Sequence, residues 1–243
     1  MRNIHLYKIA GALIVVVAMM GSCKKDYITG GTVNDVNAYA NTSTYDALKA
    51  APNFDTLIIL IDSAGIKNKI NAPGTTFFAP NNSAILNYMS TRTNALQVTN
   101  RSAKFGLDSL IYYLKNNIKG TADSLGMYLV SQALPYTILT NAGTKYPTQL
   151  AGDTAIVSFE IAAISDPTKS TVYGYTPLAS SQPQVVYFTQ LWQPYNLSDA
   201  NPANKVPAKV GIHTICTTSC IKTQNGYLNA LAYGHNLFFS FTK

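Results

Sequence analysis

Five consecutive residues, Thr75-Thr-Phe-Phe-Ala79, are β-branched, aromatic or small with no polar alternation, and Pro80 follows them at once. A strand of this content has both faces in a core, so whatever else the chain does it must pack structure on two sides of this segment. Pro80 lacks an N–H and ends the strand. Asn81 or Asn82 then offers a side-chain oxygen to the free amides of a new helix, and Ala84, Ile85 and Met89 fall on one side of it at helical spacing.

The rest of the chain is read around that segment. Ser43-Thr-Tyr-Asp46 has the spacing of a capping box with Asp in the usual Glu position, and starts a short helix that Pro52 interrupts. Asn53 is placed to cap the next helix, whose stripe of Leu57, Ile58, Leu60, Ile61 and Ala64 faces a core before Gly65 closes it. Residues 91–102 are polar, and Leu107, Leu110, Ile111 and Leu114 restore helical spacing. The apolar run from Met127 to Leu139 has no clear period, whereas Ala155 to Ile164 alternates as an antiparallel strand. Residues 165–207, rich in Pro, Tyr, Ser and Asn, form a long excursion containing one strand at Val185-Val-Tyr-Phe188. Val210 to Ile215 alternates again, and Asn225-Gly226 between two apolar runs signals a hairpin through a turn with positive φ angles.

The strand, Ala79-Pro80 and asparagine-rich helix start resemble the first motif of the fasciclin-like (FAS1) domain family. Thr44-Tyr-Asp-Ala-Leu48 followed by Phe54-Asp-Thr-Leu-Ile-Ile-Leu-Ile-Asp-Ser-Ala-Gly65 resembles its helical beginning, and Asn225-Gly226 leading into Tyr227-Leu-Asn-Ala-Leu231 resembles its second motif. The resemblance implies an α+β fold, a β-sheet or barrel-like core with flanking N-terminal helices, and a binding or adhesion role. It also implies that Phe238-Phe-Ser-Phe241 is the last strand. The chain departs from the pattern where the family often carries a Tyr-His element: no histidine lies between Lys8 and Ile212, leaving Tyr112, Tyr113 and Tyr128 as remnants. Asn229 and Ala232 stand where the family often has histidine and aspartate.

The N-terminus carries its own signal. Arg2 and Lys8 precede an apolar run from Ile9 to Met20 too short for a membrane span, and Met20-Gly-Ser-Cys23 has the small residues of a lipobox. Residues 1–22 are therefore read as a lipoprotein signal peptide, Cys23 as the acylated anchor, residues 23–42 as a tether poor in apolar content, and 43–243 as the domain. Cys-Lys-Lys-Asp-Tyr27 also resembles the start of mature Gram-negative outer-membrane lipoproteins that accompany glycan-uptake systems. The expected location is the outer membrane, on a face the sequence leaves open. Without the signal, sixteen basic and eleven acidic residues leave a net charge of +5. Scattered as isolated lysines, that charge does not form a nucleic-acid groove.

The remaining chemistry is sparse. Cys216 and Cys220 lie four apart: a straight strand would hold them about 13 Å apart, beyond disulfide reach, while a turn would bring them to about 6 Å. Thr217-Thr-Ser219 suits a turn, so a disulfide is favoured over two free thiols, with the choice left to geometry. Only His213 and His235 remain in the mature chain, so no metal spacing is present. Glu160 is the only glutamate and reads as a solvent-facing strand residue; no catalytic residue or cofactor is assigned. The excess is aromatic, with 16 Tyr in the chain and Tyr173, Tyr175, Tyr187, Trp192 and Tyr195 gathered in the excursion. Their flat amphipathic rings either meet a sugar or peptide surface or cover the domain's own core. The expected function is a non-catalytic envelope module binding a surface glycan or an envelope or matrix protein. The alternatives are an accessory glycan-binding subunit of an uptake complex and, more distantly, a hydrolase.

Overall fold

The computed structural model describes residues 37–161, 184–197 and 206–240, all within a unit spanning Val33–Lys243. Residues 1–22, read above as a signal peptide, Cys23, Tyr173, Tyr175 and much of the 165–207 excursion lie outside the described residues.

The helical start forms as its caps dictate. Ser43 accepts from the Asp46 N–H and begins α1 (Thr44–Lys49). A 3₁₀ turn at Pro52–Phe54 leads into α2 (Asp55–Ala64), which ends in a Schellman motif: Gly65 takes φ 67° while its N–H and that of Ile66 reach the Asp62 and Ile61 carbonyls. Leu57, Leu60 and Ile61 of the α2 stripe are fully buried. Asn53 does not cap this helix. Its amide reaches the Tyr233 hydroxyl instead, and the Thr56 N–H is met by Asn82 Oδ1 at 3.0 Å, a cap supplied from a different element. A short α3 (Lys67–Ile70) leads to the first strand.

β1 (Thr75–Ala79) is buried at all five positions, as its composition requires. Asn81 then caps α4 (Asn82–Gln97) through Ala84 N–H, and Ala84, Ile85 and Tyr88 turn inward. The helix runs through the polar residues after Thr91 because the following loop holds its outer face. Thr93 Oγ1 exchanges hydrogen bonds with both the N–H and the C=O of Phe105, and Gln97 reaches the Ala103 carbonyl. α5 (Leu107–Lys115) and a single turn, α6 (Thr121–Ser124), follow.

Seven strands make one mixed sheet: β1, β2 (Leu129–Val130), β3 (Thr144–Pro147), β4 (Thr154–Ile161), β5 (Gln184–Leu191), β6 (Gly211–Lys222) and β7 (Gly226–Leu231). Their spatial order is β2-β1-β7-β6-β5-β4-β3. The two end strands meet: Val130 bridges Thr148, and the Gln149 N–H donates to the Leu129 carbonyl at 2.9 Å. The sheet thus curls into a nearly closed barrel with helices outside it, and the fold is α+β. The one parallel pair joins β1 to β7, Thr75 against Gly226 through Ala79 against Ala230, so the two distant motifs of the sequence are neighbouring strands. Phe78 of β1 and Phe188 of β5, three positions apart in the sheet, stack at 4.3 Å between ring centroids.

Three details differ from the sequence reading. The hairpin between β6 and β7 turns at Gln224-Asn225, where the Thr223 N–H donates to the Gly226 carbonyl, and neither Asn225 nor Gly226 takes positive φ. Gly226 is required for another reason, since a Cβ there would lie 1.8 Å from the Thr75 carbonyl oxygen of its parallel neighbour. Residues 237–240 form a 3₁₀ turn rather than a last strand, with Phe238 and Phe239 at φ 58° and 57°. Left-handed backbone is costly for such bulky residues. It persists because both rings are buried and the Phe238 and Phe239 amides find Tyr128 Oη and the Asn236 carbonyl. Finally, packing starts inside the segment read as tether: Tyr39 bridges Thr223, and the Thr42 carbonyl accepts from the Gln224 N–H.

Candidate functional site

Two clefts are lined by described residues of the barrel and its loops. The first, about 340 Å³, lies where β5 runs out beside the turn between β3 and β4, and Lys145, Asp153, Trp192, Gln193 and Tyr195 line it. Trp192 is 46% exposed although its indole N–H is tied to the Lys209 carbonyl at 2.9 Å. That bond and the Trp192 N–H to Val210 C=O bond fix the ring while leaving a face to solvent. Tyr195 is half-buried against the small cluster of Ile156, Val206 and Val210. Asp153 accepts from Thr148 Oγ1 at 2.6 Å and from Gln190 Nε2, so its carboxylate holds the cleft's floor. An immobilised aromatic face beside amide, ammonium and hydroxyl groups suits a ligand that is flat and apolar on one side and polar at its edge, as a sugar ring is.

The second cleft, about 600 Å³ and mostly apolar, lies between β6 and the loop that follows β7, with Ile212, His213, Ile215, Tyr233 and Asn236 among its walls. Behind it sits a buried polar chain inside the barrel. Tyr128 Oη accepts the Phe238 N–H at 2.7 Å and lies 2.9 Å from His235 Nε2, while His235 Nδ1 lies 3.3 Å from Thr214 Oγ1. In the neutral imidazole one ring nitrogen donates and the other accepts, and the two hydroxyls take the complementary roles. Burial among Tyr128, Phe239 and Thr214 lowers the His235 pKa to about 3 and raises that of Tyr128, so both groups stay neutral. Thr214 and His235 of this network also line the cleft.

Of the aromatic residues singled out from the sequence, Trp192 and Tyr195 come together and Tyr187 does not join them. It is buried with Val185 and packs on Ile215, the core-covering role left open for it. Cys216 and Cys220 are free, buried thiols. The Thr217-Thr-Ser219 segment stays in β6 with register shifts rather than forming the turn a disulfide would need. Burial raises both thiols, Cys220 to about 12, and Cys220 Sγ donates to the Leu134 carbonyl. Glu160 is half-buried on β4 rather than fully solvated. Tyr112 is exposed, and Tyr128 is in contact with His235, 107 residues on. In the sequence His235 carries no signal beyond being one of three histidines in the chain. Among the described residues no three His, Cys, Asp or Glu side chains converge to hold a metal ion, and no helix is long and apolar enough to cross a membrane.

No protein-family model matches the chain, and no curated protein matches it. Among solved structures it is similar to a FAS1 domain pair from the insect cell adhesion molecule fasciclin I, with 14% identity and a TM-score of 0.40 over 77% of this chain and 45% of that chain. The chain therefore spans less than half the length of that structure.

Proposed function

We propose that the protein is a non-catalytic binding or adhesion module built on a FAS1-like barrel. In this reading it is held to the outer membrane through an acylated Cys23 and takes a surface glycan in the cleft of Trp192 and Tyr195. One observation carries the glycan reading: an indole pinned by its own N–H yet 46% exposed, beside a second aromatic ring and the Lys145 and Gln193 side chains. Pre-setting the ring lowers the ordering cost of binding, and the sugar's hydroxyls find polar neighbours at the rim. The Lys24-Lys25-Asp26 run after Cys23 and the polar residues that follow supply a tether between membrane and barrel.

The test is a glycan array probed with the wild-type chain and with Trp192→Ala and Tyr195→Ala. Loss of the aromatic face lowers the affinity for any bound glycan by about tenfold or more, from roughly 1.5 kcal/mol of stacking and apolar contact. Binding that is unchanged in both variants removes this cleft as the contact surface.

A further inference from the structure

The second cleft holds something the first does not, an unpaired length of strand. On its β7 side, β6 is paired only as far as Cys216 opposite Leu231, and the last bond of that edge is Ala232 N–H to Ile215 C=O at 2.9 Å. From there β6 continues through Thr214, His213 and Ile212 to Gly211, among the described strands paired to β5 alone, and the Gly211 N–H turns back to the Pro207 carbonyl, which leaves His213 as the open position. In antiparallel pairing the backbone groups of alternate residues face opposite edges. Since the Ile215 carbonyl faces β7, the N–H and C=O of His213, two residues away, face the same side, where no strand runs among the described residues.

The loop after β7 leaves this edge open because several of its polar groups are tied to the helical side. Asn87 donates to the His235 carbonyl, Asn236 Nδ2 to Thr91 Oγ1, and Asn53 to the Tyr233 hydroxyl. Held by α4 and the Pro52–Phe54 turn, the loop stands off from β6 and forms the far wall of the cleft. None of the described lining residues is a lysine, arginine, aspartate or glutamate, and Ile212 and Tyr233 present apolar surface to solvent at its mouth.

We propose that this cleft is a strand-addition site: an uncharged, extended peptide segment of a partner protein pairs with β6 at His213 and lodges an apolar side chain in the cleft. The backbone bonds fix the occupant as an extended peptide, and the absence of charged walls fixes it as neutral there. The site goes beyond the glycan reading and is independent of Trp192.

The test uses the full chain with the capped hexapeptide acetyl-Thr-Val-Ser-Leu-Asn-Thr-amide, by titration calorimetry and hydrogen–deuterium exchange. The expected result is saturable binding with slowed exchange in the segment 211–215. A twin peptide N-methylated at Val, Ser and Leu, lacking those donors, binds at least tenfold more weakly. His213→Pro removes an N–H that β5 does not use, and weakens binding of the hexapeptide to a similar extent; Trp192→Ala leaves it unchanged. No binding at millimolar peptide, equal binding of the twin, or protection confined to other segments overturns the proposal. The twin decides the matter on wild-type protein if His213→Pro does not fold. Peptide binding that survives a failed glycan array separates this site from the first cleft.

Discussion

Acid should weaken this barrel through one imidazole. His235 is 5% exposed, hydrogen-bonded at both nitrogens in its neutral form, and its pKa is lowered by burial to about 3 from 6.5. The unfolded chain therefore binds a proton at this side chain between those two values while the folded chain does not. Stability attributable to His235 is complete above pH 6.5 and is lost as the pH falls below it, levelling off only near the folded value. From pH 7 to pH 5 the loss is about 2 kcal/mol, at about 1.4 kcal/mol per further pH unit. His213, whose pKa is also lowered by burial, acts in the same direction, so the comparison must cancel it. Urea denaturation of the wild type and of His235→Gln at both pH values does so, because His213 is common to the two proteins. The wild type should lose about 2 kcal/mol more than the variant on going from pH 7 to pH 5. An equal loss in both proteins would refute the claim that His235 is held neutral in the folded barrel.

Three further outcomes follow from particular contacts. Gly226→Ala places a methyl group where the Thr75 carbonyl stands at 1.8 Å, so β1 and β7 must separate; the expected cost is about 3 kcal/mol or more by urea denaturation, and a loss under 1 kcal/mol would mean the strands are not paired as described. Asn81→Ala removes the α4 cap and orphans the buried Leu231 carbonyl, which together should cost about 2 kcal/mol in the same assay. In a Cys23→Ser background, Cys216 and Cys220 should resist an aromatic disulfide reagent at pH 8 in the native state and both react in unreduced urea; rapid native labelling would contradict their burial, and silence in urea would reveal a disulfide.

The two asparagines after Pro80 show how the chain joins its halves. Asn81 caps α4 with its oxygen and donates its amide to the Leu231 carbonyl at 3.1 Å, tying the first motif to the end of β7. Asn82 caps α2 and donates back to the Pro52 carbonyl. Replacing either side chain would therefore loosen a joint between elements as well as a helix end.

Local chemistry was legible from the residues alone. The Ser43 cap, the Gly65 stop, the doubly buried β1, the strand at β4 and the existence of the β6–β7 hairpin each depend on groups within a few positions of one another and appear where the pattern puts them, although β4 is buried at four consecutive positions, Ala155 to Ser158, rather than alternating. Tertiary structure decided the rest. Gly226 answers to Thr75, α2 is capped by Asn82 instead of Asn53, and the apolar run at 237–240 closes the barrel as a 3₁₀ turn rather than extending the sheet. His235 acquires its neutral state from burial inside the barrel, and Tyr187 is buried while Trp192, five residues on, is exposed. Capping and periodicity are settled by interactions along a few residues of backbone. Curling a sheet until its end strands meet sets residues side by side from distant parts of the chain, and steric approach, desolvation and hydrogen-bond partners then follow from position in the barrel.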